Sequence, residues 1–210
     1  MLTYADIDVR KKAVVFELDG VLFPKKDYLL QVYYLFANLL EYTETVPPAK
    51  DLTDFLKKAY ECHGEEGLFE RAAEAFAIDQ KYKESFERLH LTAQLPLKLL
   101  LYRPMLDLMD ALRGNGKQLL VLTEGNPTMQ LNKLRQVEWN GLDKVVKVYF
   151  EEELRKRRLN PMAFLLEDNG LQAGEVLCVC ADAARPPAAA AGVECVGAMG
   201  FWDPPATSLN

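Results

Sequence analysis

The pattern of apolar and polar positions changes character twice along this chain. Ala13-Val-Val-Phe16 is continuously apolar; Glu17 and Asp19 then bracket Leu18, and Gly20 follows at once. A short apolar run bounded by glycine predicts a strand buried on both faces of a parallel sheet. From about Lys25 to Leu95 the spacing becomes helical, beginning with Tyr28-Leu-Leu-Gln-Val-Tyr-Tyr-Leu-Phe-Ala-Asn-Leu-Leu40. The stretches Asp51–Cys62, Leu68–Ala77 and Lys81–Thr92 share that period. Pro47-Pro48, His63-Gly64 and Gly67 punctuate them, and the pattern offers no strand in between.

From Leu97 onward helices and strands alternate. Pro104–Arg113 predicts a helix stopped by Gly114-Asn-Gly116, and Gln118–Thr123 a strand. Helices at Thr128–Val137 and Pro161–Asn169 then separate strands at Val145–Phe150 and Glu175–Cys180, and Val193–Val196 closes the series. Such alternation implies βαβ crossovers. The expected fold is α/β, a doubly wound parallel sheet built from residues 1–23 and 97–210, with a helical cap inserted at 24–96.

Composition narrows the partners. With 210 residues the chain can bury one sizeable core and carry a small inserted module. A net charge of -6 provides no field that favours nucleic acid or anionic lipid, so neither is expected to bind. No apolar stretch approaches the ~20 residues of a membrane-spanning helix. Cys62, Cys178, Cys180 and Cys195 lack zinc-ligand spacing, and Met1-Leu-Thr-Tyr-Ala-Asp-Ile-Asp8 lacks the basic-then-apolar pattern of a secretion leader. A cytoplasmic setting is therefore expected.

In open α/β sheets the ligand crevice lies outside the carboxyl ends of the strands, which is where Glu17 and Asp19 fall. Two residues apart on a strand, they point to one side, and two converging negative charges demand a cation or a proton. The segment resembles the first signature of the haloacid dehalogenase (HAD) superfamily, in its helical-cap branch of phosphoglycolate phosphatase and β-phosphoglucomutase type. There Asp-x-Asp-Gly-x-(Thr or Val)-Leu supplies a nucleophilic aspartate and, two residues on, an acid/base aspartate. Here Glu17 stands at the nucleophile position and Asp19 at the second.

Three further segments carry the likeness. Leu101–Asn126 resembles the family's second region, which implies that the Thr123 hydroxyl binds a phosphate oxygen; Glu124-Gly125 stands where the family commonly has Asn-Gly. Phe150–Phe164 is similar to the region ending in Lys-Pro-x-Pro-x-x-Phe: Pro161 and Phe164 match, and Arg158 falls on the lysine that neutralises the transferred phosphoryl group. Arginine keeps that charge but presents a planar fork on a longer arm. Cys178–Gly192 resembles the fourth region, Gly-Asp-Ser-x-x-Asp, with Asp182 as its remaining acid. The second acid of that loop falls near Ala184–Pro186, none of which can ligate magnesium.

The resemblance implies a phosphomonoester hydrolase. In it Mg²⁺ is held by Glu17, Asp19 and Asp182, and the ligand is a small phosphorylated molecule or inorganic phosphate. The extra methylene of Glu17 moves the carboxylate outward by ~1.5 Å, and a misplacement near ~1 Å can already cost about a hundredfold in rate. The leading expectation is therefore a degenerate phosphatase site, inactive or slow. A working enzyme with Glu17 as an unusual nucleophile and a non-enzymatic protein that binds partners through the cap are the alternatives.

Other features have plainer readings. The charge run Glu151–Glu153 and Arg155–Arg158 reads as a solvated loop. Cys178 and Cys180 alternate on a buried strand as small core hydrophobes. His63 and His90 stand at no ligand spacing. Tyr33, Tyr34 and Phe36 either line a pocket or pack between helices.

Overall fold

The computed structural model describes residues 3–181 and 191–201. Seven strands form: β1 (Ala13–Phe16), β2 (Leu99–Leu100), β3 (Gln118–Thr123), β4 (Val137–Glu138), β5 (Val146–Phe150), β6 (Val176–Cys180) and β7 (Glu194–Gly197). Five of them make one parallel sheet in the order β5-β3-β1-β6-β7. The strand that carries the altered signature is central: Phe16 pairs with Val121 of β3 on one side and with Val179 of β6 on the other. All four residues of β1 are fully buried, which is why its sequence is apolar throughout rather than alternating.

The helices are α1 (Lys25–Glu44), α2 (Ala49–His63), α3 (Leu68–Phe76), α4 (Lys83–Thr92), α5 (Arg103–Gly114), α6 (Pro127–Gln136), α7 (Glu151–Lys156) and α8 (Pro161–Asp168). One face of the sheet contributes Val15, Leu120, Leu122, Tyr149, Cys178 and Cys180 to a core closed by Leu154 of α7 and by Met162 and Leu165 of α8. A sheet flanked by helices in this way is the α/β architecture the alternation predicts.

The chain divides into two compact units, Met1–Pro24 with Leu100–Gln130 and Val137–Asn210, and Lys25–Leu99 with Leu131–Gln136. The second is helical. Its α1 buries Tyr28, Leu29, Val32, Tyr33, Phe36, Ala37 and Leu40, positions three and four apart that make one face. Phe86 of α4 stands edge-on to Phe36 at 4.9 Å and to His90 at 4.5 Å, while Phe69 of α3 lies 5.6 Å away. The last turns of α6 belong to this unit: Asn132 Nδ2 donates to the Ala93 carbonyl at 2.8 Å, and the buried Lys133 ammonium lies 5.0 Å from the centre of the Tyr28 ring. Tyr33 and Phe36 thus serve helix packing, whereas Tyr34 is half exposed.

Two elements depart from the sequence pattern for local reasons. The run from Glu151 is a helix rather than a loop. Its three glutamates occupy the first turn and Arg155 and Lys156 the last, which suits the helix dipole at both ends. Lys81, expected at the start of a helix, instead lies in a 3₁₀ turn, Gln80–Tyr82, because the Asp79 side chain accepts the Lys81 N–H and caps that turn.

Candidate active site

Glu17, Glu124 and Glu151 each follow directly on the carboxyl end of a sheet strand, and Asp19 lies two residues past Glu17. Past β1 the chain keeps one more sheet bond, Glu17 N–H to the Val179 carbonyl at 3.0 Å, and then turns back on itself. Gly20 N–H donates to the Phe23 carbonyl at 2.9 Å and Leu22 N–H to that of Leu18 at 3.0 Å. Gly20 has φ +75°, the left-handed region where only glycine sits without strain. Leu18 is buried, so strand alternation leaves Glu17 and Asp19 on the opposite side of the chain from it, both half-buried.

Glu17 Oε2 accepts the backbone N–H of Ala181, one residue beyond β6, at 2.8 Å. Asp19 Oδ2 accepts from Gln130 Nε2 at 2.9 Å, and the same nitrogen donates to the Glu124 carbonyl at 2.6 Å. The amide orientation of Gln130 is fixed by these two acceptors. Its Oε1 is consequently buried with no hydrogen-bond partner among the described residues. A side chain at position 125 would crowd this arrangement, since a Cβ on Gly125 would lie 3.1 Å from Gln130 Nε2, and the φ of +99° there itself favours glycine.

Thr123 ends β3 and is fully buried; it lies two residues past Val121, just as Leu18 lies two past the paired Phe16. Beyond it, Glu124 Oε1 meets Arg155 Nη1 at 3.2 Å, and Glu151, wholly buried at the end of β5, meets Arg155 Nη2 at 2.7 Å. One guanidinium is therefore shared between two carboxylates. Arg155, not Arg158, is the cation drawn into this cluster. Arg158 follows α7 with φ +60°, its side chain exposed and without an ion pair among the described residues. Asp182 lies outside the described residues.

Glu17, Asp19, Glu124 and Glu151 bring four carboxylates to these strand ends, and Arg155 pairs with the last two. The donor set is entirely oxygen, including the orphaned Gln130 Oε1. That chemistry fits a hard divalent cation such as Mg²⁺ rather than a soft one.

Compared by sequence, the chain matches no protein-family model and no curated protein. Solved structures do match. A predicted phosphoglycolate phosphatase from Haemophilus somnus 129pt is similar at 20% identity and a TM-score of 0.56, over 90% of this chain and 85% of that one. A dehalogenase with an intermediate complex is similar at 16% identity and a TM-score of 0.55, over 96% and 91%. The fold is that of the haloacid dehalogenase-like hydrolases. A HAD family hydrolase from Deinococcus radiodurans R1, crystallised with bound phosphate and sodium, shares it at 16% identity and a TM-score of 0.52, over 90% and 81%.

On this HAD fold, Glu17, Asp19 and Thr123 gather at neighbouring strand ends, while Arg158 does not join them. Gln130 and Arg155 carry the local network although nothing in the sequence pattern marks Gln130. Arg155 had a signal: it stands four residues after Glu151, the spacing of a helical ion pair. His63 is exposed; His90 is half-buried, its Nδ1 2.9 Å from the Phe86 carbonyl, and burial holds the imidazole below its ordinary pKa. No described helix is long and apolar enough to cross a membrane.

Proposed function

We propose that this chain is a HAD-like hydrolase homologue whose phosphomonoesterase site is degenerate, binding a divalent cation and phosphate while turning over substrate slowly or not at all, with the helical unit as its inserted cap. The observation that carries this reading is Glu17 at the nucleophile position with its carboxylate engaged by the Ala181 N–H. An in-line attack needs the carboxylate within near-contact distance of phosphorus, and both the extra methylene and that hydrogen bond direct it elsewhere.

Electrostatics supports the same conclusion. A phosphoryl group brings two negative charges to a site that already holds four carboxylates, and Arg155 is committed to two of them. Glu17 and Asp19, with Asp182, are the residues proposed to hold Mg²⁺, which when bound would neutralise phosphate oxygens. Asp19, whose Oδ2 accepts from Gln130, is the residue proposed to hold or release a proton at Oδ1, and Thr123 the one proposed to donate its hydroxyl to a phosphate oxygen.

Turnover of p-nitrophenyl phosphate with Mg²⁺ tests the proposal. The native chain is expected to show little or none, with Glu17→Asp at least tenfold faster. Robust native turnover abolished by Glu17→Gln would instead establish glutamate as the nucleophile. Absence of turnover in both, together with no heat of Mg²⁺ or phosphate binding by calorimetry, would favour a role in protein interaction.

A further inference from the structure

Three of the four cysteines converge on one face of the sheet. Cys178 and Cys180 alternate along β6, and Cys178 is the register partner of Cys195 on β7. Their sulfur atoms all lie within 4.8 Å of one another. Cys178 and Cys180 are fully buried and Cys195 half-buried, so the group is shielded on two sides and reachable on the third.

The neighbouring position on β7 leaves room. Cys180 pairs with Gly197, and a Cβ built on Gly197 would meet nothing within 4 Å among the described residues. A valine or leucine there would be the ordinary way to fill a parallel-sheet core.

From this juxtaposition we infer that Cys178, Cys180 and Cys195 form a binding site for one thiophilic divalent cation of the zinc–cadmium class. Three sulfurs each ~2.3 Å from a tetrahedral ion stand about 3.8 Å apart, so no edge of the triangle has to contract by more than about 1 Å, which side-chain rotation supplies. Charge selects the valence: three thiolates and a divalent cation leave a single net negative charge in the core, whereas a monovalent ion leaves two. The fourth coordination position faces the Cys195 side, where water can enter. Each thiol releases its proton to solvent as its sulfur bonds the metal, so three protons leave for one ion bound.

The test is titration of the reduced full-length chain with Cd²⁺, followed through the ultraviolet thiolate-to-cadmium charge-transfer band, with Zn²⁺ as competitor. The expected result is saturation at one equivalent and displacement by Zn²⁺. Cys195→Ser, at the accessible corner, is expected to weaken binding by more than roughly a hundredfold, beyond what loss of an outer-shell contact costs. Cys62→Ser, on an exposed residue remote in sequence, should leave the titration unchanged, and circular dichroism confirms that each variant is folded. No band, a band that survives in folded Cys195→Ser, or one lost in Cys62→Ser would overturn the inference.

Discussion

The carboxylate of Glu17 accepts the backbone N–H of Ala181 across 2.8 Å, tying the residue after β1 to the residue after β6. Glutamate reaches this partner with the methylene that aspartate lacks. The bond separates stability from chemistry at one residue. Glu17→Asp is expected to lower unfolding free energy by about 1 kcal/mol, because the shorter side chain leaves that N–H without its acceptor. Glu17→Gln keeps an acceptor oxygen at the same reach and should lose less. Urea denaturation of the three proteins checks the order.

Arg155 holds the buried carboxylate of Glu151 in an ion pair at 2.7 Å. Arg155→Met should destabilise the chain by about 2 kcal/mol. This is less than the ~3–5 for a fully buried pair, because the guanidinium is itself half exposed. Adding Glu151→Gln to that variant should recover most of the loss. If the double variant is no more stable than the single, the ion pair is not what the arginine contributes.

Tyr33 is fully buried, and its hydroxyl has no hydrogen-bond partner among the described residues. Burial also pushes the phenol well above its ordinary pKa, so it stays neutral at every working pH. Tyr33→Phe keeps the ring that faces Phe86 and His90 and removes only the unsatisfied oxygen. The expected change is neutral to about 1 kcal/mol stabilising, read as a rise in melting temperature.

His90 gives the helical unit a dependence on acid. Its imidazole is held below the ordinary value of 6.5 by burial, so the unfolded chain binds the proton more readily than the folded one. The contribution to stability is complete above pH 6.5 and is lost as pH falls below it. Melting temperature should therefore drop between pH 7 and pH 5, and the drop should be smaller in His90→Gln. An identical pH profile for the two proteins would rule the histidine out as its source.

The fold was legible because its signals are long and redundant. β1 and β6 are apolar throughout, β3 is apolar from Leu119 to Leu122, and helices separate β1 from β3, β3 from β5 and β5 from β6, so the alternation points to a parallel sheet. The helix at Glu151 was hidden: charge-rich and six residues long, it has almost no apolar face, and what forms it is the matching of acids and bases to its two ends. The site divides in the same way. Glu17, Asp19 and Thr123 sit at strand ends and are announced by their position. Gln130 is an ordinary polar residue on α6 whose importance comes from folding back onto Glu124 and Asp19, a long-range contact no local pattern encodes. Arg158 illustrates the converse, since its place in a motif says nothing about the left-handed turn that leaves its side chain in solvent.

The central place of β1 bears on how this protein can change over generations. Because backbone pairing on both sides fixes the strand through Phe16, the register of the sheet is the same for either acid at the next position. Glutamate and aspartate codons differ by one nucleotide. An aspartate at that position is thus a single point mutation away, with no rebuilding of the sheet.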